Sequence, residues 1–274
     1  MFGNTYSEIT FAALKVSIAA GLAILQVYQS DDFDVQVKSD ASPLTRADCV
    51  SHNIIQGCLS DYDLPILSEE EGNIEYAERK NWNRFWLIDP LDGTKEFIKR
   101  NGEFTVNIAL IEEGFPVLGV VFAPVLDELY FASRGLGAFK ILHASSVKAS
   151  SLEAFCDAAT LLPLVSDDKN KRPYTIVGSR SHLFAQFDSF VAEKMKIHGS
   201  IDVRSIGSSL KICLVAEGAA DVYPRLGPTM EWDTAAGHAV ASEAGCQICR
   251  VDTGQPLTYN KADLLNPFFI VERM

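Results

Sequence analysis

The chain has 274 residues, with 24 Lys and Arg against 36 Asp and Glu, a formal charge of −12 and a pI near 4.9. So acidic a chain, without a basic run, lacks the footprint of a protein that holds a nucleic-acid polymer. A content of 47% apolar and 22% charged residues excludes disorder and leaves room for one large domain or two smaller ones.

The opening residues, Met1 to Glu8, carry no basic segment and do not read as a signal peptide. No unbroken apolar run approaches the ~18 residues of a membrane span, so no transmembrane segment is expected. From Ser7 to Gln29, Ile9, Ala13, Val16, Ala20 and Ala23 recur on one face, as in an amphipathic helix. Ser42, as N-cap, and Pro43, at the first helical position, open a second helix running toward Leu59. The period then shortens. Pro65 to Ser68 and Phe85 to Ile88 are apolar runs that end in acidic residues, as buried strands do when they deliver a site. Thr105–Ile111 and Val117–Phe122, around Glu112-Glu113-Gly114, form a hairpin, and Glu128–Ala132 and Ala138–Ile141 add strands.

The polar, weakly patterned stretch from Ala144 to Arg172 divides the chain into an N-terminal α+β half, 1–145, and a C-terminal α/β half, 146–274. Beyond it come a strand at Tyr174–Gly178 and a helix from His182 to Lys196. A helix from Ser208 to Glu217, closed by Gly218, precedes a strand at Asp221–Tyr223 and a helix from Trp232 to Ala244 ending at Gly245. The six cysteines are scattered through apolar patterns, which suits free thiols in a reducing cytoplasm. Cys246 and Cys249 form a CxxC without a second Cys/His pair, and are expected to be strand residues.

Four acidic features stand at the ends of these elements: Ser68-Glu69-Glu70-Glu71, Asp89-Pro90-Leu91-Asp92-Gly93-Thr94, Glu231-Trp232-Asp233 and Thr45-Arg46-Ala47-Asp48. Each alone has an ordinary explanation: a solvated loop, a turn, a helix cap. In the second, Pro90 fixes its own φ and Gly93 permits a tight turn, so both carboxylates and the Leu91 carbonyl can aim at one point. Such an oxygen-only environment suits a hard cation such as Mg²⁺. A Ser/His mechanism around Ser179, Ser181 and His182 has no G-x-S-x-G elbow to support it.

Asp89-Pro-Leu-Asp-Gly-Thr94 and Trp232-Asp-Thr-Ala-Ala-Gly237 closely resemble the two signatures of the inositol-monophosphatase-like, lithium-sensitive phosphatases. The longer string from Asp89 to Ala109, with Gly207 to Lys211, is similar to the CysQ-type 3'(2'),5'-bisphosphate nucleotidases. The resemblance implies a five-layered αβαβα fold of the α+β class and Mg²⁺-dependent phosphomonoester hydrolysis, with two or three ions per site and sensitivity to Li⁺. It makes Glu69, Asp89, the Leu91 carbonyl, Asp92 and Asp233 the metal ligands, Glu69 through a water. Thr94 and Asp48 would orient and help activate the attacking water. Gly93, Thr94 and Lys95 would meet the phosphate at a helix start, together with Asp233. His182, Gly207 and Lys211 would bind the nucleotide, with Ser208 beside them at a helix N-terminus and Arg180 and Arg225 as further candidates. The implied substrate is adenosine 3',5'-bisphosphate or its sulfated precursor, giving AMP and phosphate from the former. An inositol monophosphatase, another sugar phosphatase, and a non-catalytic metal or nucleotide binder are the rival readings.

Overall fold

The first helix, α1 (Ser7–Tyr28), turns Ala13, Leu14, Ala20 and Ile24 inward at 0% exposure, the face expected from their spacing. In this computed structural model, residues 6–30, 33–37, 43–71, 74–164, 172–179 and 185–274 are described. α1 is also long and apolar enough to cross a membrane, with a mean hydropathy of 1.8 over its best window, which the search for an unbroken apolar run did not flag. Here its apolar face lies on a sheet.

Two short strands, β1 (Gln36–Val37) and β2 (Pro43–Leu44), pair antiparallel ahead of α2 (Arg46–Leu59). The second helix thus begins at Arg46 and not at Ser42, which lies outside the described residues. Its cap is Thr45, whose hydroxyl accepts from Ala47 N while Asp48 Oδ2 accepts from Thr45 N.

Next come β3 (Ile66–Ser68), α3 (Tyr76–Arg79), β4 (Arg84–Asp92), α4 (Thr94–Ile98), β5 (Thr105–Glu112), β6 (Phe115–Ala123), β7 (Glu128–Ser133) and β8 (Gly137–Leu142). The β5–β6 turn has Glu113 at φ 52° and Gly114 at φ 78°, the paired left-handed geometry that two-residue hairpins favour. α5 (Leu152–Asp157) and β9 (Thr160–Leu161) follow, and β9 pairs with β8. The seven-stranded sheet, ordered β3-β4-β5-β6-β7-β8-β9, therefore runs past the division drawn at residue 146. The polar composition there hides Leu152 and Phe155, which enter the core beside α1.

The second sheet is built from β10 (Tyr174–Gly178), β11 (Ile201–Ser205), β12 (Val222–Arg225), β13 (Cys246–Arg250) and β14 (Phe269–Arg273), in the order β11-β10-β12-β14-β13. α6 (Ala185–His198) covers its outer face, where Phe187 meets Ile176 and Val222. Between the sheets lie α7 (Leu210–Ala216) and α8 (Ala235–Glu243). Both begin two or three residues later than the sequence pattern suggests. β11 and β14 escape the sequence reading; β11 is an edge strand with its last three residues exposed, so it lacks a buried apolar run.

The layers are α1 and α2, the seven-stranded sheet, α7 and α8, the five-stranded sheet, and α6: the expected αβαβα order. Along β5, Val106, Ile108 and Leu110 face α1 and α2, while Ala109 and Ile111 face α7 and α8, so the strand is apolar on both sides. The intermediate layer sits close to the sheet. A Cβ on Gly119 in β6 would lie 2.2 Å from the Ala236 carbonyl oxygen of α8. Cys246 and Cys249 are free thiols on β13, three residues apart and so on opposite faces, unable to share one metal.

Candidate active site

Strand alternation delivers the first carboxylate. Phe85 and Leu87 of β4 point into the core between the sheets, and Asp89 continues their row. There the pairing with β5 breaks register between Asp89 and Asp92, across Pro90, whose carbonyl accepts from Ser51 Oγ at 2.7 Å. Gly93, at φ 95°, then turns the chain into α4; a Cβ there would meet the Glu103 carbonyl oxygen at 3.1 Å.

Asp89 is 1% exposed. Its Oδ1 accepts from Leu91 N at 3.1 Å, while its Oδ2 is buried without a hydrogen-bond partner. Asp92 Oδ2 accepts from Ser208 Oγ at 2.6 Å, from Ser209 N at 2.7 Å and from Ser209 Oγ at 3.0 Å. Asp233 lies in the turn before α8, its Oδ2 accepting from Met230 N at 2.9 Å, so its carboxylate folds back and does not cap the helix. A carboxylate oxygen from each of the three falls within 4.8 Å of the others.

Burial pushes the Asp89 carboxyl well above its ordinary pKa, and Glu69, Asp92 and Asp233 push it further. Burial does the same to Asp233, with Asp92 and Glu69 adding to it. Such a cluster is stable in ionised form only with cations. The donor set is all oxygen, and a buried carboxylate oxygen lacks a partner; both fit a hard divalent ion.

The structure also separates the three consecutive glutamates. Glu69 N donates to Ile88 O at 3.2 Å, and the side chain lines the same cavity as the aspartates. Glu71 instead accepts from Gln56 Nε2. Asp48, at 0% exposure, faces the site from α2: its Oδ1 and the Leu91 carbonyl each lie 3.4 Å from Thr94 Oγ1.

Glu69, Asp89, Asp92, Thr94 and Asp233 line one wall of a cavity of about 300 Å³; Lys211, Tyr223 and Arg225 line the other. Lys211 Nζ donates to Ser208 O at 2.6 Å and Ile206 O at 3.3 Å, and burial pulls its pKa down to about 8. Arg225 donates to Ser179 Oγ at 2.7 Å and to Gly227 O at 3.1 Å, and its hydrogen bonds go to a hydroxyl and to carbonyls. Gly207 N donates to Glu103 Oε2 at 2.8 Å, and Lys95 is exposed at the cavity rim. The Ser208 hydroxyl, expected beside a second anion, is turned to Asp92. His182 and Arg180 lie outside the described residues.

Sequence reasoning passed over Asn107, Ser51 and Glu103. Asn107 Nδ2 donates to Ser209 Oγ at 2.9 Å, tying β5 to the Asp92 cradle. Its signal was available: a lone amide inside the apolar run of β5, where a polar group needs a partner.

A model of the inositol monophosphatase family matches residues 5–268. The chain is 47% identical over 256 residues to the 3'(2'),5'-bisphosphate nucleotidase CysQ of Shigella flexneri, covering 92% of this chain and 94% of that protein. The CysQ of Escherichia coli strain K12 is 46% identical with the same coverage. The crystal structure of CysQ from Bacteroides thetaiotaomicron, described as a bacterial member of that family, superposes with a TM-score of 0.90 at 46% identity, covering 98% of both chains.

Proposed function

The chain belongs to the inositol monophosphatase family, and on that premise we propose that it is a Mg²⁺-dependent 3'(2'),5'-bisphosphate nucleotidase acting on adenosine 3',5'-bisphosphate. It is a phosphatase; its CysQ relatives are named 3'(2'),5'-bisphosphate nucleotidases. The observation that carries the reading is the three-carboxylate cluster with its unpartnered Asp89 oxygen, facing Lys211 and Arg225 across one cavity.

In this reading Glu69, Asp89, the Leu91 carbonyl, Asp92 and Asp233 would hold the Mg²⁺, two or three ions per site. Bound Mg²⁺ would neutralise the phosphate and lower the pKa of water near it. Asp48 accepts the Thr94 hydroxyl proton, which leaves the Thr94 oxygen free to accept from the attacking water and aim its lone pair at phosphorus. The water oxygen bonds to phosphorus as the bond from phosphorus to the 3' oxygen breaks; one water proton ends on the 3' oxygen and the other stays on the transferred group, so AMP and hydrogen phosphate leave. Little covalent chemistry is asked of the protein; charge and alignment suffice.

Gly93, Thr94 and Lys95 stand where the transferred phosphate would enter. Lys211, Arg225 and Gly207, with His182, would serve the nucleotide end, while the Ser208 hydroxyl, turned to Asp92, serves the metal end. Six free thiols support a cytoplasmic setting. Phosphate release from adenosine 3',5'-bisphosphate and from inositol 1-phosphate, each with and without Mg²⁺, tests the proposal. A higher kcat/KM on the bisphosphate is expected. A higher value on inositol 1-phosphate would make the protein a sugar phosphatase, and inertness on both would make it a binder.

A further inference from the structure

The buried side of α2 is mixed: beside Ala47, Ile55 and Leu59, which enter the core, it carries polar groups where a helix against a core is ordinarily apolar. Asp48 and Ser51 are 0% exposed and His52 is 9% exposed, and with Gln56 they sit at helical spacings that share one side. Each reaches a different part of the acidic centre. Asp48 meets Thr94, Ser51 donates to the Pro90 carbonyl, and Gln56 donates to Glu71. His52 Nδ1 lies 3.0 Å from Ser68 Oγ, one residue before Glu69.

Ser68 Oγ also accepts from Glu70 N at 3.2 Å. Its proton and second lone pair leave it able to bond His52 Nδ1 in either tautomer of the ring, so the contact at 3.0 Å joins the helix to the Glu69 loop whichever nitrogen carries the ring proton. Glu69 is thereby held from three sides: its own N–H on Ile88 O, the preceding side chain on His52, and the following N–H on Ser68. We propose that His52 is a positioning residue for Glu69, and that α2 spaces the Glu69 loop from the Asp89–Asp92 turn by gripping both. This rests on the metal-dependent reading above and adds to it a residue that touches none of the proposed ligands.

The test is Mg²⁺ binding to metal-free protein by calorimetry, alongside the Mg²⁺ dependence of phosphate release. His52→Ala should weaken Mg²⁺ binding roughly tenfold, the usual scale for loss of a group that orients a ligand, with KM for the bisphosphate at saturating Mg²⁺ unchanged. His52→Asn places an amide oxygen where Nδ1 was and should restore affinity; His52→Gln places its amide near the Nε2 position and should not. If His52→Ala does not fold, the Asn and Gln pair carries the test: affinity higher in Asn supports the inference, and equal affinity in the two overturns it. Wild-type affinity in a folded His52→Ala overturns it as well. Wild-type protein that binds no Mg²⁺ would instead overturn the metal reading, and this inference with it.

Discussion

The two walls of the cavity fail alone in opposite ways. On the sheet wall, burial and mutual repulsion raise the pKa of Asp89 and Asp233, so their charged forms want cations. On the opposite wall, burial lowers the pKa of Lys211 to about 8, so its charged form wants an anion. Supports differ too. Asp89 and Asp92 hang from β4, whose residues Phe85 to Leu91 are all buried, and Asp233 from the turn before α8. Lys211 stands in α7, and Arg225 ends β12 in the sheet whose edge is the exposed strand β11. Each wall is thus incomplete without a ligand of opposite sign. A phosphorylated substrate carrying metal on one end and bare charge on the other would complete both.

The largest effect should come from the sheet wall. Asp89→Asn is expected to cut turnover by about 10³-fold or more, the scale on which buried transition-state electrostatics are lost, with steady-state phosphate release as the measurement. Metal-free Asp89→Asn should also unfold at a higher temperature than metal-free wild type, because a neutral amide relieves the repulsion. An unchanged midpoint would break the comparison by showing that the wall is not strained. Thr94→Ala should lower kcat by roughly 10²-fold with little change in KM, as for a group acting on the nucleophile. In the same assay Glu71→Gln should leave kcat/KM unchanged, since Gln56 already holds that carboxylate.

The opposite wall should respond in KM. Lys211→Ala is expected to raise KM for the bisphosphate roughly tenfold, the worth of one charge-assisted hydrogen bond, and to raise it less for a monophosphate. The pH dependence has a definite sign. Lys211 is charged below about pH 8 and loses its proton above it, so KM should climb as pH rises through that value. Lys211→Arg, which stays charged, should flatten the climb over the same range. At the small end, Cys249→Ser should alter neither parameter, because Cys249 lies on β13, outside the cavity lining.

How far the sequence reached follows the same division. The carboxylate wall was legible because each part of it sits in a compact local motif: Asp89 and Asp92 share one turn, and Asp233 lies in the motif that Trp232 begins. The hairpin, the strand Tyr174–Gly178 and the glycine stops at Gly218 and Gly245 were equally local, each decided by neighbours a few residues away. What the sequence hid was long-range. Ser209 reaches Asp92 across 117 positions, and no local pattern marks a serine as holding a distant carboxylate rather than an anion. The start of α2 was misplaced for a related reason. Pro43 is a good first helical residue in isolation, but pairing with Val37 drew it into a strand.

Gly119 carries a consequence beyond its own strand. With no side chain, it lets the first turn of α8 rest almost on the backbone of β6. Asp233 sits three residues before Ala236 and descends with that turn toward the sheet bearing Asp89. A single methyl at position 119 would act as a shim, prying the two carboxylate-bearing elements apart at a point remote from either. The tolerance of the ion-binding centre is therefore set partly by a hydrogen atom in the middle of a hydrophobic interface.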